Sequence, residues 1–130
     1  MIQKLFIHCS LFGYHFSPKQ LEARTGLRLD DPYERGDLGR TGRIVNYGVA
    51  SFLHEFSAKD FKEGFEALAP MLTLLEQHEA AMQAAGVTEI DLCVTLGYQG
   101  PCDWAFKGED LQRIVALDIT SLGITCYEAD

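Results

Sequence analysis

No cysteine in this chain has another close by: Cys9, Cys93, Cys102 and Cys126 stand far apart, and no C-x-x-C pair occurs. The short paired spacing of structural zinc sites is therefore missing, and no metal is expected. Positive charge is also scarce, with 11 Lys and Arg against 19 Asp and Glu, a formal net charge of −8. A binder of phosphate backbones needs a concentrated basic face, which argues against nucleic acid as a partner. Long apolar runs are absent too, and nothing approaches the roughly 20 residues of a membrane helix. The run from Leu5 to Phe12 is too short for a signal peptide with its cleavage site, and His8 and Ser10 interrupt it. The expectation is a reducing cytoplasm, with Cys9, Cys93 and Cys126 as reduced thiols buried in the core on strands. Neither a G-x-x-x-x-G-K-[ST] loop nor a dinucleotide fingerprint is present, so no cofactor is expected.

What is present is a repeated helix-start signal. Phe16-Ser17-Pro18, Phe56-Ser57-Ala58 and Phe106-Lys107-Gly108 each place a phenylalanine just ahead of a helix start. In the first copy Ser17 can cap the helix, Gln20 can reach back to the Ser17 backbone, and Phe16 can staple to Leu21. Pro18 then falls at the first helical position, which needs no N–H. The second copy pairs Phe56 with Phe61 and Ser57 with Asp60, while the third lacks a capping serine.

Period-two alternation predicts strands at 4–12, 44–54 and 89–98, a short returning strand at 102–106 and a last strand at 123–128. Helical spacing predicts helices at 17–25, from Ser57 to a terminator at Gly86 with an interruption at Pro70, and at 109–117. In the last of these Leu111, Ile114 and Val115 should face inward. The order is β-α-β-α-β-β-α-β. It predicts one α+β domain over 1–130, a mixed or antiparallel sheet of about five strands with helices packed on one face.

Two places emerge as candidate sites. The stretch from Arg28 to Arg43, with Pro32 and glycines at 36, 39 and 42, has no apolar periodicity and reads as a loop. Its Arg35, Asp37, Arg40 and Arg43 form a candidate ligand-binding group, since glycine N–H groups and guanidinium forks can grip an anion. The second place is the sheet face that the helices leave open. Parity puts Phe6, His8, Phe12, Phe52, His54, Cys93, Thr95, Thr125 and Tyr127 there, a half-aromatic, half-polar set of the kind that marks contact sites. Phe6, His8, Phe52, His54 and Tyr127 are the candidate protein-contact residues. His54-Glu55 can act as a base with its orienting acid only if both point into one cleft. A thiol nucleophile at Cys93 needs His8 beside it. Neither pattern amounts to a catalytic constellation, so no catalytic residue is assigned.

Phe16-Ser17-Pro18, Thr25-Gly26-Leu27, Glu34-Arg35-Gly36-Asp37 and the closing Phe106…Leu111…Leu122-Gly123-Ile124-Thr125-Cys126-Tyr127-Glu128 resemble the pattern of a small bacterial family, the 4279 domain-of-unknown-function family. The chain departs from that pattern at Tyr33, where a tryptophan is usual, and at Lys107-Gly108, where a Ser-Pro start is common. The resemblance implies a bacterial cytoplasmic α+β protein and no particular activity. Acidic balance, small size and the mixed face favour a non-enzymatic module that binds a basic protein, as immunity proteins do, or a second copy of itself. The alternative is a binder or enzyme for a small anion held by the 28–43 loop.

Overall fold

The computed structural model describes residues 2–57 and 67–130. Its strands are β1 (Ile2–Gly13), β2 (Asp30–Tyr33), β3 (Gly48–Ser57), β4 (Glu89–Tyr98) and β5 (Ser121–Glu128). The helices are α1 (Pro18–Thr25), α2 (Leu68–Gln77), α3 (Glu79–Ala84) and α4 (Gly108–Ala116). The strands form one mixed sheet in the order β2-β3-β1-β4-β5. All neighbours are antiparallel except β4 and β5, which run parallel through the α4 crossover.

Alternation explains the layering. In β1 the side chains of Leu5, Ile7, Cys9 and Leu11 are fully buried, while Phe6, His8, Ser10 and Phe12 are only half-buried. The buried row meets Ile90, Leu92, Val94 and Leu96 of β4 and the inward residues of the helices, including Leu21, Leu72, Leu75, Met82 and Ile114. The α+β sheet with helices on one face is therefore what the alternation predicted.

Helix α1 begins as its sequence predicts, with one change. Ser17 Oγ accepts from the Gln20 N–H at 3.3 Å, and Gly26 closes the helix in the left-handed region. The Ser17 N–H, however, donates to the Ala85 carbonyl at 2.9 Å instead of to Gln20. Pro70 lies in the first turn of α2, where no N–H is needed. The Phe56–Phe61 staple and the Ser57–Asp60 cap lie outside the described residues.

Three expectations change. Residues 102–106 are irregular, and the fifth strand is β2, inside the segment read as a loop. With Pro32 and two aspartates it has no apolar alternation, and an edge strand tolerates this. In α4 the inward residues are Asp110, Ile114 and Leu117, whereas Leu111 and Val115 are exposed. The helix is turned so that Arg113 can bond Glu76 of α2 at 2.6 and 3.0 Å and Thr73 at 3.0 Å. Finally, β3 puts its even-numbered residues on the helix side, because Phe52 pairs with Cys9 and His54 with Ile7.

A backbone junction gathers one end of the three central strands, where β1 ends and β3 and β4 begin. The turn after β1 passes between the start of β3 and the loop after α3, and Phe16 within it is almost fully buried. A methyl group on Gly13 would overlap the Gly86 carbonyl oxygen, and one on Gly48 would overlap the Phe16 carbonyl oxygen. Backbone atoms cannot swing aside as a side-chain tip can. Gly48→Ala is expected to cost about 2 kcal/mol or more, whereas Gly108→Ala, with nothing near its Cβ, should stay within about 0.5 kcal/mol of the parent. Urea denaturation of both variants checks this, and equal midpoints would refute the junction's role.

Candidate functional site

The open face reads as rows across the sheet. Lys4, Gly97 and Tyr127 form one end, followed by Glu55, Phe6, Thr95 and Thr125. Next come Leu53, His8, Cys93 and Gly123, then Ser51, Ser10, Asp91 and Ser121. Val49, Phe12 and Glu89 close the face, with Tyr33 paired to Val49. Small hydroxyl-bearing residues thus lie in the rows that flank the central one, and aromatic rings stand toward both ends. The Tyr127 ring lies over Gly97, where a Cβ would meet its hydroxyl at 2.6 Å. Leu53 is 53% exposed and is the largest aliphatic side chain on this face.

Of the five candidate contact residues, Phe6, His8 and Tyr127 share this face. Phe52 and His54 do not. Phe52 is buried among the core residues, and His54 stacks on Phe56 at 4.9 Å on the helix side. The register of β3 differs by one residue from that expected by parity, and such a shift moves every side chain to the other face. Leu53, Ser51 and Glu55 take their places. The same alternation separates His54 from Glu55, so they cannot work as a base and its orienting acid in one cleft.

His8 and Cys93 are direct cross-strand partners, yet no hydrogen bond joins them among the described residues. The Cys93 sulfur instead lies 3.9 Å from the Thr95 hydroxyl and 3.8 Å from that of Thr125. His8 Nδ1 is 3.4 Å from the Ser10 hydroxyl. Of the three cysteines expected in the core only Cys9 is there; Cys93 lies half-buried on the open face and Cys126 on edge strand β5 is exposed. Burial, with a smaller contribution from the Asp91 charge, pushes the Cys9 thiol up to about 12. Iodoacetamide should therefore label exposed Cys126 first and leave Cys9 unmodified in the native protein, as mass spectrometry of peptides would show. Labelling of Cys9 at the rate of Cys126 would contradict this burial.

The glycine-rich segment after β2 is bonded to itself. Gly36 N–H donates to Val45 O at 2.8 Å, Gly39 N–H to Arg43 O at 2.8 Å and Gly42 N–H to Gly39 O at 3.1 Å. The three amides that a cradled anion would need are thus occupied. The Asp37 carboxylate accepts from the Glu34 N–H at 2.8 Å. Arg40 is ion-paired with Asp31 at the surface, and Tyr33 first and then Asp31 raise its already high pKa. Arg35 lies over the Tyr14 ring at 4.2 Å. Arg40 and Arg43 line one depression, of about 420 Å3, and Arg35 another, of about 540 Å3. The four candidate ligand-binding residues therefore do not converge on a single point.

Glu34 anchors this segment, and its role was not legible in the sequence. Its Oε1 accepts from the Ser17 hydroxyl at 2.6 Å and from the Lys19 N–H at 3.3 Å, placing a carboxylate on the N-terminus of α1. The partners lie fifteen to seventeen residues apart in sequence, a separation that no local motif reports.

A third place was not singled out as a site in the sequence. Phe12, Gly13, Tyr14, Tyr47, Thr88, Glu89 and Asp91 line a depression of about 520 Å3 at the aromatic end of the open face. Comparison with protein-family models, curated proteins and solved structures gave no match. Site geometry is left to carry the functional argument. For the arginine segment it predicts that inorganic phosphate and pyrophosphate leave the melting temperature unchanged. A saturable rise that disappears in Arg40→Ala and Arg43→Ala proteins would reinstate the anion site.

Proposed function

We propose that this chain is a non-enzymatic protein-binding module whose open sheet face docks a basic protein, in the manner of an immunity protein. The observation that carries this reading is the composition of the uncovered face. Aromatic anchors stand toward its two ends around a centre of Leu53, His8 and Cys93 flanked by hydroxyl groups, and its charged groups are Glu55, Glu89 and Asp91 against Lys4. Exposed rings on a rigid platform are the side chains that carry binding energy at protein interfaces. The acidic rim and the net charge of −8 would speed encounter with a basic surface and select against acidic ones.

The four free cysteines and the resemblance to a bacterial family agree with a setting in a reducing bacterial cytoplasm. No helix among the described residues is long and apolar enough to cross a membrane. The reading gives the face a passive role, with affinity coming from shape, rings and charge.

Chemical cross-linking in the native host, followed by peptide mapping, tests it. We expect one stoichiometric partner of high isoelectric point, with cross-links concentrated at Lys4 and the acidic residues of the open face. Leu53→Asp and Tyr127→Ala should each weaken the complex at least about tenfold with little change in melting temperature. A complex that survives both substitutions, or a chain recovered only as a homodimer through this face, would overturn the basic-partner reading.

A further inference from the structure

The proposed docking face ends in a depression whose chemistry is more specific than that of the rest of the sheet. Phe12 and Tyr47 form two of its walls, with ring centroids 6.0 Å apart and planes inclined at 61°. Tyr14, 61% exposed, adds a third ring, and Tyr47 is 46% exposed, so both offer free aromatic surface. Glu89 and Asp91 supply two carboxylates from successive outward positions of β4. No basic side chain lines the depression. One Asp91 oxygen accepts from the Ser121 hydroxyl at 2.8 Å, and Glu89 has no hydrogen-bond or ion-pair partner among the described residues.

Rings at an angle with unneutralised carboxylates beside them are the arrangement that holds an organic cation. Ring faces attract the charge through their quadrupoles, and carboxylates accept its N–H groups. The chain shows the first contact within itself, since the Arg35 guanidinium, which lines a separate depression, rests over one face of Tyr14. The floor is fixed in advance. The Phe16 N–H donates to Gly13 O at 3.1 Å, the Thr88 N–H to Phe12 O at 2.9 Å, and Gly13 pairs with Gly48. A volume of about 520 Å3 is within the range of small-ligand pockets and accommodates one long side chain.

We infer that the depression bounded by Phe12, Tyr14, Tyr47, Glu89 and Asp91 receives a cationic side chain, arginine or lysine, presented by the basic partner. This rests on the docking reading above and names the group that the face would recognise. The carboxylates take the N–H donors while the exposed Tyr47 ring packs against the flat or methylene part of the incoming chain. An uncharged isostere keeps the stacking and loses the charge, so it binds worse.

The test uses the full chain, nitrogen-15 NMR and three probes: N-acetyl-arginine methylamide, the corresponding lysine compound and the corresponding citrulline compound. Arginine or lysine should shift the amides of Gly13, Tyr14, Thr88 and Glu89, with a dissociation constant on the order of millimolar for so small a ligand. Citrulline should bind about tenfold more weakly. The Glu89→Gln/Asp91→Asn protein and, separately, the Tyr47→Ala protein should each lose about tenfold in affinity at unchanged melting temperature. The two cationic probes distinguish planar from ammonium recognition, and preference for either supports the pocket. Equal binding of citrulline, or shifts spread over other acidic surfaces, would overturn it. So would partner capture that survives Glu89→Gln/Asp91→Asn but fails with Leu53→Asp, which would leave the docking face standing without this pocket. Probe binding at the pocket in a chain that captures no partner would support the pocket and remove the docking reading.

Discussion

The close passage of backbone at Phe16 is the constraint on which the rest of the structure depends. Three segments distant in sequence meet there without side chains between them: the end of β1 at Gly13, the start of β3 at Gly48 and the exit of α3 at Gly86. Gly86 has a φ of 96° and would bring a Cβ to 2.6 Å from the His15 carbonyl oxygen, so two separate reasons require glycine at that position. The bond from Ser17 N–H to Ala85 O then fixes where α1 begins relative to α3. Because Gly13 pairs with Gly48 while Thr88 bonds Phe12, the same junction sets the register of β3 and β4 against β1. One-residue slips at this point would turn the buried rows outward.

From that register follows the division between the two faces. On the helix side Leu5, Ile7, Cys9 and Leu11 are sealed, and α4 is held against α2 by Arg113, which binds Glu76 through two nitrogens and lies 3.8 Å from Asp110. Arg113 in turn holds the Glu76 carboxyl below its usual range. Arg113 and Glu76 are partly exposed, so their pairing contributes modestly and serves mainly to orient α4. Orientation matters because α4 precedes the one parallel strand. Its inward Ile114 and Leu117 are buried in the core, yet Ile124 of β5 remains 49% exposed. The helical layer stops short of that edge.

How much of this could be read from the chain depended on the distance over which each signal acts. Alternation in 89–98 and the Ser17-Pro18 start are local, and both elements appear where the pattern puts them. Strand β2 escaped because Asp30-Asp31-Pro32-Tyr33 contains no period, and only its pairing with β3 makes it a strand. The parity of β3 was ambiguous for a different reason. Val49, Phe52, Leu53 and Phe56 put apolar residues on both faces, so hydrophobicity alone could not say which face meets the helices. Trp104 and Phe106 promised a returning strand by β propensity, but they pack as an edge-to-face pair against the rim of the core. As for sites, Phe6, His8 and Tyr127 were placed together by simple parity. The grouping of Phe12, Tyr14 and Tyr47 with Glu89 was hidden, because it arises only where two strand ends and a turn converge.

An uncovered sheet face must stay hydrated when alone and still offer enough apolar surface to be covered. The row pattern resolves that conflict by segregation. Ser10, Ser121 and Thr125 set hydroxyls beside the central row, while Ser121 and the buried Ser51 already bond Asp91 and Asp30 O. Phe12 with Tyr47 at one end, and Tyr127 on its Gly97 seat at the other, are held in place before any partner arrives. Their ordering entropy is thus already spent in folding. Glu89 stands unneutralised beside the first pair, where a carboxylate repels acidic neighbours and attracts basic ones. A partner that sets a cation against that end and an apolar group near Leu53 would satisfy both demands of the face at once, which no uncharged or acidic surface can do.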